Sequence, residues 1–205
     1  MTEKNNFVNF NIVDYMVELY SQGFFPMADS KADPSFGWYY PKERAIINLD
    51  NFNIPRSLKQ FINNTNFTVK LNHDFESVIK GCASRPETWI SETLIRIYRV
   101  LFHEEYLKTL EIYYDGKLAG GLYGIQIGGS FIGESMFTIL PQGSKIALVM
   151  LHQILVENGF ILLDVQMMTP HLKMFGAEII DDNLYKPLLS EAIKLKRDFT
   201  LPSGF

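Results

Sequence analysis

Six glycines inside one stretch of apolar residues, 118–137 (LAGGLYGIQIGGSFIGESMF), constrain this chain more than any other feature. Asp115-Gly116 precedes the stretch, and both residues tolerate the positive φ that a tight hairpin turn needs. The apolar runs on either side, 110–114 and 118–127, therefore read as two antiparallel strands. Gly128-Gly129 makes a second turn, and 130–137 a third strand. Gly120, Gly121, Gly124 and Gly133 then fall within strands. Glycine weakens a strand, so a cluster of them points to bulges or to close approach of another group to the backbone. Glu134 sits in the third strand among Ile132, Met136 and Phe137. Burying its carboxylate is costly unless a partner meets it. An exposed Glu on an ordinary meander is the plainer alternative.

At 205 residues and 47% apolar, the chain is long enough to bury a sizeable core. Its start, MTEKNNFVNF, is polar and has no apolar segment of a secretory signal. The longest helical apolar run, 146–151, is too short to cross a bilayer. A lone cysteine, Cys82, excludes an internal disulfide and fits a reducing compartment, so a cytoplasmic protein without membrane attachment is expected. The four histidines lack metal-ligand spacing, and no metal or cofactor is expected. A net charge of −4 argues against bulk affinity for nucleic acid. Residues 42–99 nevertheless carry nine Lys/Arg against six acids, which makes them the one candidate phosphate-facing surface.

In chain order, Asn11 caps a helix over 12–22, closed by Gly23. Two aromatic clusters around prolines follow, Gly23-Phe24-Phe25-Pro26-Met27 and Trp38-Tyr39-Tyr40-Pro41, with Arg44 beyond. They read either as a hydrophobic cap or as a stacking platform for a base. A strand over 45–49, a helix over 56–63, a strand over 67–71 and a helix over 75–82 capped by Asp74 come next. Cys82 lies among apolar neighbours and reads as a buried structural thiol. A long helix spans about 90–105. After the meander, Ser144 is expected to cap a helix over 146–156. The strand 160–167 carries Asp164 and Gln166 two residues apart, which alternation puts on one face. Thr169-Pro170 opens a short helix to 175, followed by a strand over 177–180 and an exposed helix over 187–196.

Gly120-Gly121-Leu122-Tyr123-Gly124, then Gly133-Glu134-Ser135-Met136-Phe137, then Ser144-Lys145 resemble the leucyl/phenylalanyl-tRNA–protein transferases. So do Gly23–Met27 with the Trp38…Arg44 segment, Arg85-Pro86-Glu87-Thr88-Trp89-Ile90, and Asp164, Gln166, His171 and Gly176-Ala177. The resemblance fades beyond Asp182. Two departures stand out: Met27 where many members have Trp, and Lys108-Thr109 where a His-Ser pair is usual before Glu111.

The resemblance implies an α+β, acetyltransferase-like (GNAT-type) mixed sheet flanked by helices over 43–205, with a small N-terminal domain over 1–42. It implies transfer of Leu or Phe, less readily Met, from aminoacyl-tRNA to proteins beginning with Arg or Lys, which tags them for N-end-rule degradation, by a monomer without cofactor. It also implies that Met27 and Trp89 lie near the terminal adenosine of the tRNA, whose body would lie on 42–99. An aminoacyl ester is already activated, so positioning should supply most of the rate. Gln166 would accept a hydrogen bond from the attacking amine. Asp164 would orient or polarise Gln166, or hold the acceptor's cationic side chain. Leu122, Phe131, Met136, Leu148 and Leu151 would wall an apolar slot. Glu134 at its rim would bind the α-ammonium of the donor or assist the acceptor. A coenzyme A-dependent N-acyltransferase of the same fold ranks second, because Pro141-Gln142-Gly143-Ser144 is a poor pyrophosphate cradle. A non-catalytic adaptor that binds protein N-termini ranks third.

Overall fold

A computed structural model describes residues 11–202. The meander organises it. Asp115 (φ 48°) and Gly116 (φ 76°) form the first turn, as a two-residue hairpin of this hand requires. They join β5 (Leu107–Tyr114) to β6 (Lys117–Ile127), and the turn at Gly128 joins β6 to β7 (Ser130–Thr138). Helix α5 (Gly143–Glu157) then crosses over to β8 (Leu162–Gln166), which pairs parallel with β7. A parallel neighbour needs such a crossover.

With β3 (Glu43–Ile47), β4 (Thr68–Leu71) and β9 (Ala177–Asp181), these strands form a seven-stranded sheet of order β4-β5-β6-β7-β8-β3-β9. Every pairing but β7–β8 is antiparallel. Helix α5 and α2 (Arg56–Asn64) cover one face, in a core that includes Leu110, Leu122, Phe131, Leu148 and Leu163. The other face carries α3 (Phe75–Ala83), α4 (Glu92–His103) and α1 (Ile12–Ser21), packed around Met16, Val78, Leu94, Tyr123 and Ile132. Two further helices, α6 (Pro170–Met174) and α7 (Asp182–Ala192), flank β9 in sequence, and α7 packs against Ile46 and Leu162.

A two-stranded hairpin, β1 (Phe25–Met27) with β2 (Gly37–Tyr39), holds the proline-flanked aromatics. Trp38 makes edge contacts with Tyr15 and Tyr20 at 5.9 and 5.8 Å, so this cluster packs as a cap on α1. Cys82 is buried, and desolvation pushes its thiol up to about 12, which leaves it unreactive.

Three expectations change. The helix after the meander starts at Gly143, not 146, and Ser144 is not its cap: Gln142 holds that position in the left-handed region at φ 64°. The hydroxyl of Thr138 on β7 accepts the Ser144 N–H at 3.0 Å instead, so the cap comes from tertiary structure. The last helix begins at Asp182, capped by Asp181, and runs through Pro187. It is amphipathic rather than free, with Tyr185, Leu189 and Ala192 buried. The long helix begins only at Glu92, where Ser91 accepts the Leu94 N–H.

Candidate active site

Glu134 is the extra residue of a β-bulge. Across β6–β7, Tyr123 opposes Ser135 and Gly124 opposes Gly133, so Glu134 has no partner in the ladder. Bulges re-aim side chains, and Gly124 opposite this one leaves room for the Phe131 ring. The carboxylate is buried. Tyr20 of α1 donates to Oε1 at 2.9 Å, Tyr98 of α4 donates to Oε2 at 3.0 Å, and the Gln166 amide donates to Oε1 at 3.2 Å. Burial pushes the Glu134 carboxyl up to about 7, with a smaller upward push from Asp164, while the three donors pull it down. Burial and the nearby carboxylate hold the Tyr20 and Tyr98 phenols well above their ordinary range, so both remain donors.

A second bulge lies next to the first. On β8, Asp164 opposes Ile46 and Gln166 opposes Ala45, leaving Val165 unpaired, and Gln166 has φ 64°. This breaks the period-two alternation that had Asp164 and Gln166 sharing one face in the slot. Asp164 instead is fully buried behind the site. Arg44 gives it three hydrogen bonds of 2.7–3.0 Å, Tyr185 a fourth at 2.7 Å, and the Gln166 backbone N–H a fifth at 2.8 Å. Arg44 is itself buried, donates to the Gly23 carbonyl at 2.7 Å, and lies over the rings of Phe25 and Tyr185. An Asp so saturated has no lone pair left to hold an acceptor's cation. It fixes the backbone of Gln166.

Beside the two bulges a cavity of about 600 Å³ opens, of a size that suits a small ligand. Parallel pairing of β7 with β8 stops at Ile132–Asp164, and the cavity occupies the gap beyond. Glu134, Gln166, Trp89, Leu122, Phe131, Met136, Leu148 and Leu151 all line it, so the meander, β8, α5 and the loop before α4 converge there. Asp164 and Met27 do not line it. Met27 is tied into the hairpin opposite Gly37 and packs with the α1–α4 core. His171, from α6, is a further wall residue whose buried Nε2 has no protein partner. Burial and nearby Lys145 lower its pKa, which keeps the ring neutral at pH 7.

Tyr20, Tyr98, Arg44 and Tyr185 were not among the expected site residues. A phenol in an apolar helix stripe, as at Tyr98 beside Leu94 and Leu101, does ask for a buried acceptor. No local pattern pairs Arg44 with Asp164, 120 positions away. Lys108-Thr109 and Glu111 lie in β5 outside the cavity, where Thr109 donates to Glu111 at 2.5 Å and burial raises the pKa of that carboxyl. Of the nine cations in 42–99, Arg44 is sealed in its ion pair, Arg99 is paired with Glu76 and Arg85 lines the cavity, leaving six for an outer surface. No described helix is long and apolar enough to cross a membrane.

Sequence relationships add the class. The pattern described as "Leucyl/phenylalanyl-tRNA protein transferase" matches residues 46–190, and that of the family's N-terminal domain matches 13–42. The match therefore runs past Asp182 and includes most of α7. A leucyl/phenylalanyl-tRNA–protein transferase of Nostoc sp. is 46% identical over 179 residues, which is 87% of this chain and 93% of the relative. The corresponding proteins of Synechocystis sp. and Ruegeria sp. are 43% and 41% identical, over 92% and 93% of this chain and 94% and 90% of theirs. Among solved structures, L-PGS from Bacillus licheniformis superposes with a TM-score of 0.48 at 12% identity, over 88% of this chain and 70% of that one, a likeness too loose to assign a fold type. The protein is an aminoacyltransferase, built on a mixed α+β sheet. Within that class, the chain belongs to the leucyl/phenylalanyl-tRNA–protein transferase family along most of its length.

Proposed function

We propose that this transferase moves a leucyl or phenylalanyl group, and less readily a methionyl group, from the 3′-end of a tRNA to the α-amine of proteins that begin with Arg or Lys. The observation that carries the reading is the joining of one apolar cavity to one polar cluster: Phe131, Met136, Leu148 and Leu151 beside Glu134 and Gln166. The apolar walls suit a branched or aromatic side chain. Met136 supplies the adaptability to take either. One methylene discriminates by only about 1–3 kcal/mol, so partial acceptance of Met follows.

In this reading the acceptor amine attacks the ester carbonyl, and the C–O bond to the tRNA 3′-oxygen breaks as the new C–N bond forms. The amine's proton leaves with that oxygen. Gln166 commits its amide nitrogen to Glu134 and so turns its oxygen toward the amine, accepting a hydrogen bond as the nitrogen gains charge. Asp164 acts on Gln166 only through the backbone N–H that it accepts. Once ionised, above about pH 7, Glu134, held by two phenols, supplies negative potential beside the developing ammonium. The finer fold assignment we favour is the acetyltransferase type, supported by one parallel β7-α5-β8 unit within an otherwise antiparallel sheet. We read the enzyme as a cytoplasmic monomer. Against a coenzyme A donor, the amides of Gly143 and Ser144 are already bonded to Leu140 O and Thr138 Oγ1, leaving no cradle for pyrophosphate at the start of α5.

The test is incubation with labelled leucyl-tRNA and a reporter peptide beginning with Arg, beside labelled acetyl-coenzyme A. Label should pass from the tRNA only. Gln166→Ala should lower kcat by about a hundredfold, typical for loss of one preorganised transition-state hydrogen bond, with little change in tRNA affinity. Transfer from acetyl-coenzyme A alone would overturn the reading.

A further inference from the structure

Among the described residues, Arg85 is the one Lys or Arg on the cavity wall. It lies just past Ser84, the C-cap of α3, four residues before Trp89, which lines the same wall. Both ends of this loop are fixed. Behind it, Gly81 packs so closely on Phe137 that an added Cβ would lie 2.4 Å from the ring. Ahead of it, the Trp89 carbonyl accepts the Ala28 N–H at 3.2 Å. One Nη2 of Arg85 donates to the Met136 carbonyl at 2.6 Å, on β7 beyond the point where β8 stops pairing. A guanidinium has five N–H donors, and this contact occupies one. Among the described residues no carboxylate forms an ion pair with Arg85. The side chain is exposed at the rim, held in place by one bond with the rest of its fork free.

We propose that Arg85 binds the phosphodiester on the 5′ side of the donor's terminal nucleoside. This rests on the transfer reaction given above. Three substituents of one ribose must find places: the acyl group among Phe131, Met136 and Leu148, the base on the ring of Trp89, and the 5′-phosphate. With the acyl group and the base so placed, we assign the phosphate to the rim, where the fork of Arg85 can match its oxygens two at a time.

The experiment compares donors that differ only in that phosphate. Unaltered protein is given an Arg-initial peptide with 3′-O-leucyl-adenosine, with the same compound carrying a 5′-methyl phosphate, or with leucyl-tRNA. The methyl phosphate should raise kcat/KM about tenfold or more, the usual worth of a hydrogen-bonded charge. Arg85→Gln should remove that gain and lower kcat/KM with leucyl-tRNA at least fivefold more than with leucyl-adenosine. It should also reduce the slope of log kcat/KM against log salt with leucyl-tRNA by about one. Arg85→Lys should keep the slope and recover part of the rate, since it retains the charge and loses the fork. Equal losses on all three donors would mean that Arg85 acts only through the Met136 carbonyl, and would overturn the proposal. So would a methyl phosphate without effect on the unaltered protein. Failure of the unaltered protein to transfer from any donor would instead sink the parent reaction, and this assignment with it.

Discussion

Glu134→Gln should change how stability depends on pH. The folded carboxyl is pushed up to about 7 from the ordinary 4.5. Between those values the folded state keeps a proton that the unfolded chain has released. Stability therefore falls as pH rises through this window and levels off above it. The full difference is about 3 kcal/mol, of which about 2 kcal/mol falls between pH 5 and 7.5. Gln keeps the size, its oxygen can accept from Tyr20 and Gln166 while its NH2 donates to the Tyr98 oxygen, and it does not titrate. Of the groups around it, the phenols remain protonated through this range, and Asp164 is ion-paired with Arg44. The assay is urea unfolding of both proteins at half-unit steps from pH 4.5 to 8, plotted as the difference in free energy. Histidines and surface carboxylates cancel in that difference. The variant should gain on the parent by about 2 kcal/mol from pH 5 to 7.5. A flat difference would refute the reasoning, because it would mean that the carboxyl titrates in the folded state as it does in the unfolded chain.

Two further substitutions probe the scaffold. Arg44→Met strands the buried Asp164 charge and should cost about 3–5 kcal/mol in chemical unfolding, whereas Arg44→Met with Asp164→Leu should cost clearly less. A double variant as damaged as the single would show that the ion pair is not what the single change breaks. Gly143→Ala sets a Cβ 2.2 Å from the Ala119 carbonyl oxygen, backbone against backbone, and should destabilise by about 2–3 kcal/mol. Gly116→Ala meets nothing within 4 Å and should cost only the strain of its positive φ, about 1 kcal/mol. Melting temperatures should rank the pair in that order.

The meander was legible because its turns are local: Asp115-Gly116 and Gly128-Gly129 carry their own backbone preference. The strand glycines correctly pointed to bulges and close approaches. Gly120 and Gly143 sit against each other's backbones, and Gly124 faces the bulge at Glu134. The apolar walls were legible too, since alternation in β6 and β7 and the apolar length of α5 aim them at one side. What alternation could not report is its own interruption. Whether Asp164 and Gln166 share a face depends on Val165, which looks like any strand valine, and on a positive φ at Gln166 that no local residue pattern demands. The partners of the buried charges were hidden for a different reason. Tyr20, Arg44 and Tyr185 reach their carboxylates from 21 to 120 residues away, so only the folded sheet brings them together.

The gap between β7 and β8 raises a physical problem that the site's polar residues solve. Two parallel strands that stop pairing expose backbone N–H and C=O groups along both edges, and groups that are buried need partners. Here side chains supply them. The Asp164 carboxylate takes the Gln166 N–H, and the Arg85 guanidinium takes the Met136 carbonyl. Each of these side chains is anchored in turn, Asp164 by Arg44 and Tyr185, and the Arg85 loop by its bond to the hairpin residue Ala28. Side chains thus make bonds that the missing ladder would have made. It follows that loss of Asp164 should harm the enzyme even though the residue touches no substrate. With its acceptor gone, the Gln166 backbone has no reason to keep a φ of 64°, and the side chain relaxes toward regular strand geometry, off the amine. Asp164→Asn, which keeps an acceptor for that N–H, should therefore retain far more activity than Asp164→Leu at matched folded fraction. Equal loss in the two would assign Asp164 a role through its charge instead.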